Sequence, residues 1–360
     1  MKVALLTYST RPRGGVVHTL ALAEAMAAAG VDVTVWTLGR GNDAGFFRAV
    51  DPRVHVRVVP FADRDGEGTG PRITRSIAAL RDAFGADPGA YDVVHAQDCL
   101  SANAVLGRGR VLRTVHHIDH FTTPELAACH ERAITGPAAH VCVSAAVAAE
   151  LRAGWGITAT VIPNGVDAAR FADVPAAARA RWRSRLGPYV LTVGGIEPRK
   201  GSIELLEAYA SLGRPEVALV IAGGETLFDY RPYRALWEAR AAELGVVPVV
   251  LGPVPDPDLP ALVAGAEAFA FPSAKEGFGL AAMEALAAGV PTVVSDLPVL
   301  RQVFAGAVAF ADGAAAFADA LAAALDGPDP GRDAVGRALA ARHTWAAAAL
   351  HHLVLYQALT

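Results

Sequence analysis

The sequence predicts an α/β protein of two Rossmann-like domains, on three observations. At 360 residues the chain exceeds the size at which a single hydrophobic core keeps growing, so two domains are expected. Short apolar runs alternate with longer segments of helical apolar spacing, the pattern of strand–helix–strand units on a parallel sheet. The alternation starts afresh at Tyr189, after a stretch rich in Ala and Arg.

Composition narrows the classes. Hydrophobic residues make up 53% of the chain and charged residues 19%, which is globular. Mean hydropathy is +0.32, yet alanine supplies most of it, and no stretch approaches the roughly 18 unbroken apolar residues of a membrane span. The opening MKVALLTYST turns polar too soon for a signal peptide and reads as a first strand. Cys99, Cys129 and Cys142 are odd in number and widely spaced, which fits buried thiols in a reducing cytoplasm. A net charge of −4 offers no general attraction to nucleic acid or anionic lipid. A cytoplasmic protein with neither nucleic-acid nor membrane partners is expected; oligomeric state stays open.

In order along the chain, strand Val3–Thr7 leads through Arg11-Pro12-Arg13-Gly14-Gly15 to a helix over His18–Ala29 and a strand over Val31–Thr37. The glycine pair lacks the G-x-G-x-x-G spacing, so a nicotinamide cofactor is not indicated. A strand over Val54–Val59 and a polar, glycine-containing loop precede a helix over Ile73–Phe84. Its Arg72, Arg75 and Arg81 read as a solvated face. Short strands follow over Tyr91–Ala96 and Val111–Val115, the second opening onto His116-His117-Ile118-Asp119-His120. Parallel sheets bind ligands at the carboxyl ends of their strands, which makes this cluster a candidate site. No second cluster with ligand spacing completes a metal site, and no metal is expected.

Residues 168–187 read as a linker with one helix. Strand Val190–Val193 then feeds Gly194-Gly195-Ile196-Glu197-Pro198-Arg199-Lys200-Gly201 and a helix over Ile203–Leu212. A glycine-rich turn, two cations and a helix N-terminus together suit a phosphate. Strand Ala218–Ala222, a helix over Trp237–Leu244, strand Val247–Leu251, the turn Gly252-Pro253-Val254 and a helix over Leu259–Gly265 continue the alternation.

The most informative stretch is Phe269–Asp296, FAFPSAKEGFGLAAMEALAAGVPTVVSD: strand, loop, helix from Leu280, strand. Its two carboxylates stand out against alanine and leucine, Glu276 in the loop and Glu284 in the helix. Gly277 and Gly279 leave the backbone open, and first-turn N–H groups suit an anion. A phosphorylated ligand bearing hydroxyls would satisfy these features; Glu276 as a helix cap and Glu284 on a solvated face remain open at this point. Beyond Pro298, Val299–Phe304 and strand Val308–Phe310 complete the second sheet. A helix over Ala314–Leu325 and a helical region over Ala334–Gln357, kinked near Thr344-Trp345, end the chain. Leu350, Leu353, Val354 and Ala358 form a stripe that calls for a partner.

The string from Pro272 to Pro291 closely resembles the E-x7-E signature of family 4 glycosyltransferases. Pro163-Asn164-Gly165-Val166-Asp167 and the Val193-to-Gly201 loop are also similar to family elements. The resemblance implies the GT-B arrangement of two facing Rossmann-like domains. The first, residues 1–168 joined by the C-terminal helix 344–360, would bind the acceptor; the second, residues 169–343, would bind a nucleotide diphosphate sugar. It implies retaining hexosyl transfer by a metal-independent transferase. Glu276 would contact sugar hydroxyls, Glu284 the ribose, and the backbone of Phe278, Gly279 and Leu280 the sugar and diphosphate. Lys200 with Arg199 would neutralise the diphosphate, Val254 would pack on the base, Gly14 and Gly15 would border the donor, and His116 would lie on the sugar's side. Many members carry Arg where this chain has Gly195, so the second cation would be Arg199. A regulatory protein that binds nucleotide sugars without transfer, and a sugar-nucleotide epimerase, remain alternatives.

Overall fold

The alternation of apolar strands and amphipathic helices produces two all-parallel sheets. The computed structural model describes every residue except 42, 88, 120, 122, 123, 225–229, 328 and 360. Met1–Gly165 together with Trp345–Thr360 form one compact unit, and Val166–Thr344 the other. His120, in the histidine cluster above, lies outside the described residues.

The sheet of the first unit contains β1 (Lys2–Leu6), β2 (Asp32–Arg40), β3 (His55–Phe61), β4 (Val93–Ala96), β5 (Val111–Val115), β6 (Ala139–Cys142) and β7 (Thr160–Val161), in the spatial order 3-2-1-4-5-6-7. Order reverses between β1 and β4, the switch point at which such sheets open a crevice. Pro60 is tolerated within β3 because β3 is an edge strand and its missing N–H breaks no ladder. The helix predicted from His18 begins at Gly14 and runs to Ala28. Val3, Leu5, Leu20 and Met26 pack in the core beneath it.

The last helix, Trp345–Leu359, belongs to this unit and packs on helix Gly14–Ala28. Of the predicted stripe, Leu353 packs half-buried against the core, while Leu350, Val354 and Ala358 face outward. Leu350 and Val354 are 58% and 67% exposed, while Ala348, Ala349, His352 and Tyr356 are buried. Two alanines allow close approach, and both polar rings find partners inside. The Tyr356 hydroxyl lies 2.6 Å from His95 Nδ1, His95 Nε2 lies 2.8 Å from Thr114 Oγ1, and His352 Nδ1 lies 2.8 Å from the Ala348 carbonyl. Tyr356 and one nitrogen of His352 are thus satisfied, while His352 Nε2 is buried without a partner among the described residues; hydropathy alone does not place these rings on the buried face. The helical region predicted with a kink near Thr344-Trp345 is two helices, Pro330–Arg342 and Trp345–Leu359, with the break at His343 and Thr344.

The second unit repeats the topology. Its strands are β8 (Tyr189–Val193), β9 (Ala218–Ala222), β10 (Val249–Gly252), β11 (Ala268–Phe271), β12 (Thr292–Ser295) and β13 (Ala309–Ala311), in the order 10-9-8-11-12-13. Here the switch point lies between β8 and β11. The stretch read as a linker with one helix forms two, Ala168–Ala172 and Ala176–Leu186, both packed on helix Leu259–Ala264. Asp167 starts the first by accepting the Arg170 N–H at 3.3 Å. Among the described residues no helix is long and apolar enough to cross a membrane.

Candidate active site

In the second unit, the loops leaving β8 and β11 are neighbours because their strands are paired, and they carry most of the candidate residues. The β8 loop makes a short 3₁₀ turn over Pro198–Lys200, passes through Gly201 in the left-handed region (φ 61°), and enters helix Ser202–Leu212. A Cβ on Gly201 would stand 1.9 Å from the Pro272 carbonyl oxygen, so glycine is demanded by both the torsion and the contact. The loops are also tied by the Ala274 N–H donating to the Arg199 carbonyl at 2.9 Å and by Arg199 Nη1 donating to the Lys275 carbonyl at 3.3 Å.

Glu276 sits at the centre of this junction. Its Oε1 accepts from Arg199 Nη1 at 3.1 Å, from Ser273 Oγ at 3.2 Å and from Lys200 Nζ. Arg199 Nη2 also reaches Glu197 Oε1 at 3.2 Å, and Lys200 Nζ lies 5.0 Å over the Phe271 ring. Ser273 is fully buried and Glu197 nearly so. A carboxylate with little solvent contact is thus compensated by two cations. Lys200 also lines a small concavity with Thr192, Gly194, Gly195 and Ser202.

Gly279 begins the second helix start. Its φ is 97°, and a Cβ there would fall 2.9 Å from the Phe304 ring. Neither helix Leu280–Ala287 nor helix Ser202–Leu212 is capped by the side chain at its N-cap; in the latter the Ile203 N–H donates to the Tyr233 hydroxyl at 3.4 Å, and first-turn N–H groups not engaged in this way suit an anion. Phe278 is buried with its ring 5.8 Å from that of His343, while Leu280, the first helical residue, is half-buried. Four residues on, Glu284 is also half-buried. Lost hydration pushes its carboxyl up to about 7; Arg170 pulls the other way and Asp256 adds to the rise. No hydrogen bond to Glu284 is made among the described residues. Arg170 is itself bridged to Asp256 at 2.8 Å, and Val254 lies half-buried just before Asp256 in the turn after β10.

In the first unit His116 leaves the carboxyl end of β5 and packs beside the glycine pair. A Cβ on Gly15 would sit 3.6 Å from His116 Nε2, and nothing stands near a Cβ on Gly14. The His116 ring meets that of His18 edge-on at 4.7 Å, and His18 Nδ1 is 2.9 Å from Asn164 Oδ1. Burial, aided by His117, holds His116 down at about 3, and burial likewise lowers His18, His95 and His352, leaving neutral rings. His116 Nε2 is buried without a hydrogen-bond partner among the described residues. It can donate to or accept from a ligand hydroxyl, but as a proton donor of the imidazolium type it would need acid conditions. No three His, Cys, Asp or Glu side chains converge as a metal set among the described residues.

The structure therefore brings Arg199, Lys200 and Glu276 into direct contact in the second unit, with Phe278, Gly279, Leu280 and Glu284 following on. In the first it places Gly14, Gly15 and His116 together. Spacing missed Ser273 and Glu197 as partners of the ion cluster, Arg170 and Asp256 beside Glu284, and Asn164 under His18. Only Asn164 carried a signal, inside its Pro-Asn-Gly turn.

Two family models match consecutive parts of the chain: "Glycosyltransferase Family 4" over residues 12–170 and "Glycosyl transferases group 1" over residues 179–340. The chain is also 31% identical over 348 residues to D-inositol 3-phosphate glycosyltransferase of Salinispora arenicola, across 82% of this chain and 76% of that protein. The chain belongs to glycosyltransferase family 4. Its fold is that of solved GT-B structures. Sucrose-phosphate synthase of Thermosynechococcus elongatus superposes with a TM-score of 0.82 at 23% identity, over 99% of this chain and 98% of that one. HepE of Anabaena, solved with UDP-glucose, gives 0.76 at 18% identity, over 99% and 100%. The contacts of Glu276 with Lys200 and Arg199, and the lack of a side-chain cap bond at the start of helix Leu280–Ala287, set aside the reading of Glu276 as a helix cap.

Proposed function

We propose that this glycosyltransferase moves a hexosyl group from a nucleoside diphosphate sugar to an acceptor held by the first unit, with retention of anomeric configuration. The observation that carries the reading is the junction of Lys200, Arg199 and Glu276 beside two glycine-capped helix starts. As the bond from the sugar to the diphosphate breaks, negative charge gathers on the departing phosphate. Lys200, Arg199 and the helix N–H groups stabilise that charge, so the chemistry needs no metal from the protein. Glu276, already oriented by the two cations, takes hydroxyls of the sugar; Glu284 takes the ribose; Val254 lies against the base; His116 contacts the transferred sugar as a neutral ring.

Incubation with α-linked nucleoside diphosphate sugars in chelator-treated buffer tests this. Nucleoside diphosphate should be released, and proton NMR of the product should show an α linkage. A β product would refute retention. Binding without release from any donor favours the regulatory protein, and interconversion of donors without acceptor favours the epimerase. UDP-glucose is the first donor to try, because it occupies the structurally similar HepE.

The ribose assignment has a proton signature. Free Glu284 titrates near 7. Ribose hydroxyls donate more strongly to the carboxylate than to the neutral acid, so binding lowers its pKa and releases a proton just below neutrality. Nucleoside diphosphate affinity should therefore rise with pH up to about 7 and then level off. Calorimetry in buffers of different ionisation enthalpy measures the proton, and Glu284→Gln should abolish it. A wild-type affinity without pH dependence, or the same dependence in the variant, would remove Glu284 from the ribose.

A further inference from the structure

Because β1, β2 and β3 lie side by side, their exits bring together three loops and three arginines. Arg13 precedes helix Gly14–Ala28 at its N-cap position, Arg40 is the last residue of β2, and Arg72 lies in the first turn of helix Thr69–Ala86. Only 9% of Arg40 is exposed, and its Nε and Nη2 are buried without a hydrogen-bond partner among the described residues. A guanidinium is costly to bury with its donors unmet.

The neighbours deepen the imbalance. Burial and the nearby charges of Arg72 and Arg13 lower the Arg40 pKa, with Tyr8 and Asp63 working the other way. Asp63 is exposed. Asp43, which follows closely in sequence, is taken by the Thr10 hydroxyl at 3.0 Å. Further along the same helix, Arg75 forks onto Glu67 at 2.8 and 2.5 Å and stacks 3.9 Å from the Phe61 centroid, and Arg81 donates to the Asn103 carbonyl at 3.2 Å. Sequence reading had all three as a solvated face. Finally, both flanking helices start without a side-chain cap and without an acidic residue in the first turn, so their N–H groups add to the positive field.

We propose that Arg40, with Arg13 and Arg72, binds a phosphate group, and, resting on the transferase reading above, that this phosphate belongs to the sugar acceptor. A phosphate monoester matches the planar fork of a buried arginine and the charge of the cluster better than a neutral hydroxyl does. The phosphate can belong to a small polyol phosphate or to a phospholipid headgroup.

Binding to the full chain is measured calorimetrically at fixed ionic strength, using inorganic phosphate and glycerol phosphate, and by cosedimentation with phosphatidylcholine vesicles with or without phosphatidylinositol. Saturable phosphate binding is expected, weakened at least tenfold in Arg40→Gln, while nucleoside diphosphate affinity in the second unit is unchanged. Glycerol phosphate binding points to a soluble acceptor. Cosedimentation only with phosphatidylinositol, lost in Arg40→Gln, points to the headgroup. If Arg40→Gln does not fold, Arg72→Gln on the half-exposed helix start replaces it and should show the same loss. Absence of binding to every probe, or equal binding by wild type and variant, overturns the site. No donor is present in these measurements, so failure of sugar transfer would leave a positive result standing and would cost the proposal only its acceptor clause.

Discussion

A chain ending at Thr344 is expected to lose the folded first unit. Residues Trp345–Thr360 belong to that unit, and their buried face is continuous with its core: Ala349 and Tyr356 pack with Val3, Leu20 and Met26, and Ala348 packs with Val141 and Ile162. Burial of one large side chain is worth about 1.5–3 kcal/mol, and a domain's whole stability is about 5–15 kcal/mol. The deletion uncovers Tyr356's site together with the half-buried contacts of Trp345, Leu353, Leu355 and Leu359. It also strips buried His95 Nδ1, on β4, of the Tyr356 hydroxyl that it meets at 2.6 Å. Gel filtration and near-ultraviolet circular dichroism should show aggregated or molten protein. Tyr356→Phe separates packing from hydrogen bonding: it keeps the ring, should cost about 1–3 kcal/mol, and should still fold. A soluble, fully active truncation would show that the last helix merely decorates the surface.

That helix also marks where sequence reading succeeds and where it stops. Strands Val111–Val115, Ala218–Ala222 and Thr292–Ser295 were legible to the residue, because each is a short run dominated by apolar and β-branched residues with abrupt ends. The helix phase was not legible. Leu350 and Val354 outrank His352 and Tyr356 in hydropathy, but the partner that lets the Tyr356 hydroxyl be buried, His95, lies on β4, and no local window contains it. The site divides in the same way. Glu276, Glu284 and Lys200 stood out because charges are scarce in their surroundings. The role of Arg40 did not, since its significance depends on Arg13 and Arg72 arriving from strands that are neighbours only in the sheet. Ser273 carried no signal, because a serine after a strand is common and only its bond to Glu276 distinguishes it.

The ion cluster sets the other large expectation: Lys200→Ala and Arg199→Ala should each lower turnover about a hundredfold. A preorganised donor aimed at charge that develops in the transition state is worth about 3 kcal/mol. Both cations here are preorganised by one acceptor, Glu276 Oε1, and Arg199 is further fixed by Glu197 and by the Lys275 carbonyl. Glu276→Gln discriminates orientation from charge. It keeps an oxygen for Lys200 and Ser273 but removes the negative charge, so the cations turn more freely to phosphate. Nucleoside diphosphate should bind the variant as well as or better than wild type, while turnover falls because sugar hydroxyls lose their acceptor and the cations their aim. Steady-state kinetics, with calorimetry for the nucleotide, resolve the two effects. Arg199 is the sharper test, since Gly195 leaves the loop with no other arginine. A change in turnover below about threefold for Arg199→Ala, under 1 kcal/mol, would mean that it serves only to hold Glu276 and Glu197 in place and that Lys200 meets the departing phosphate without it.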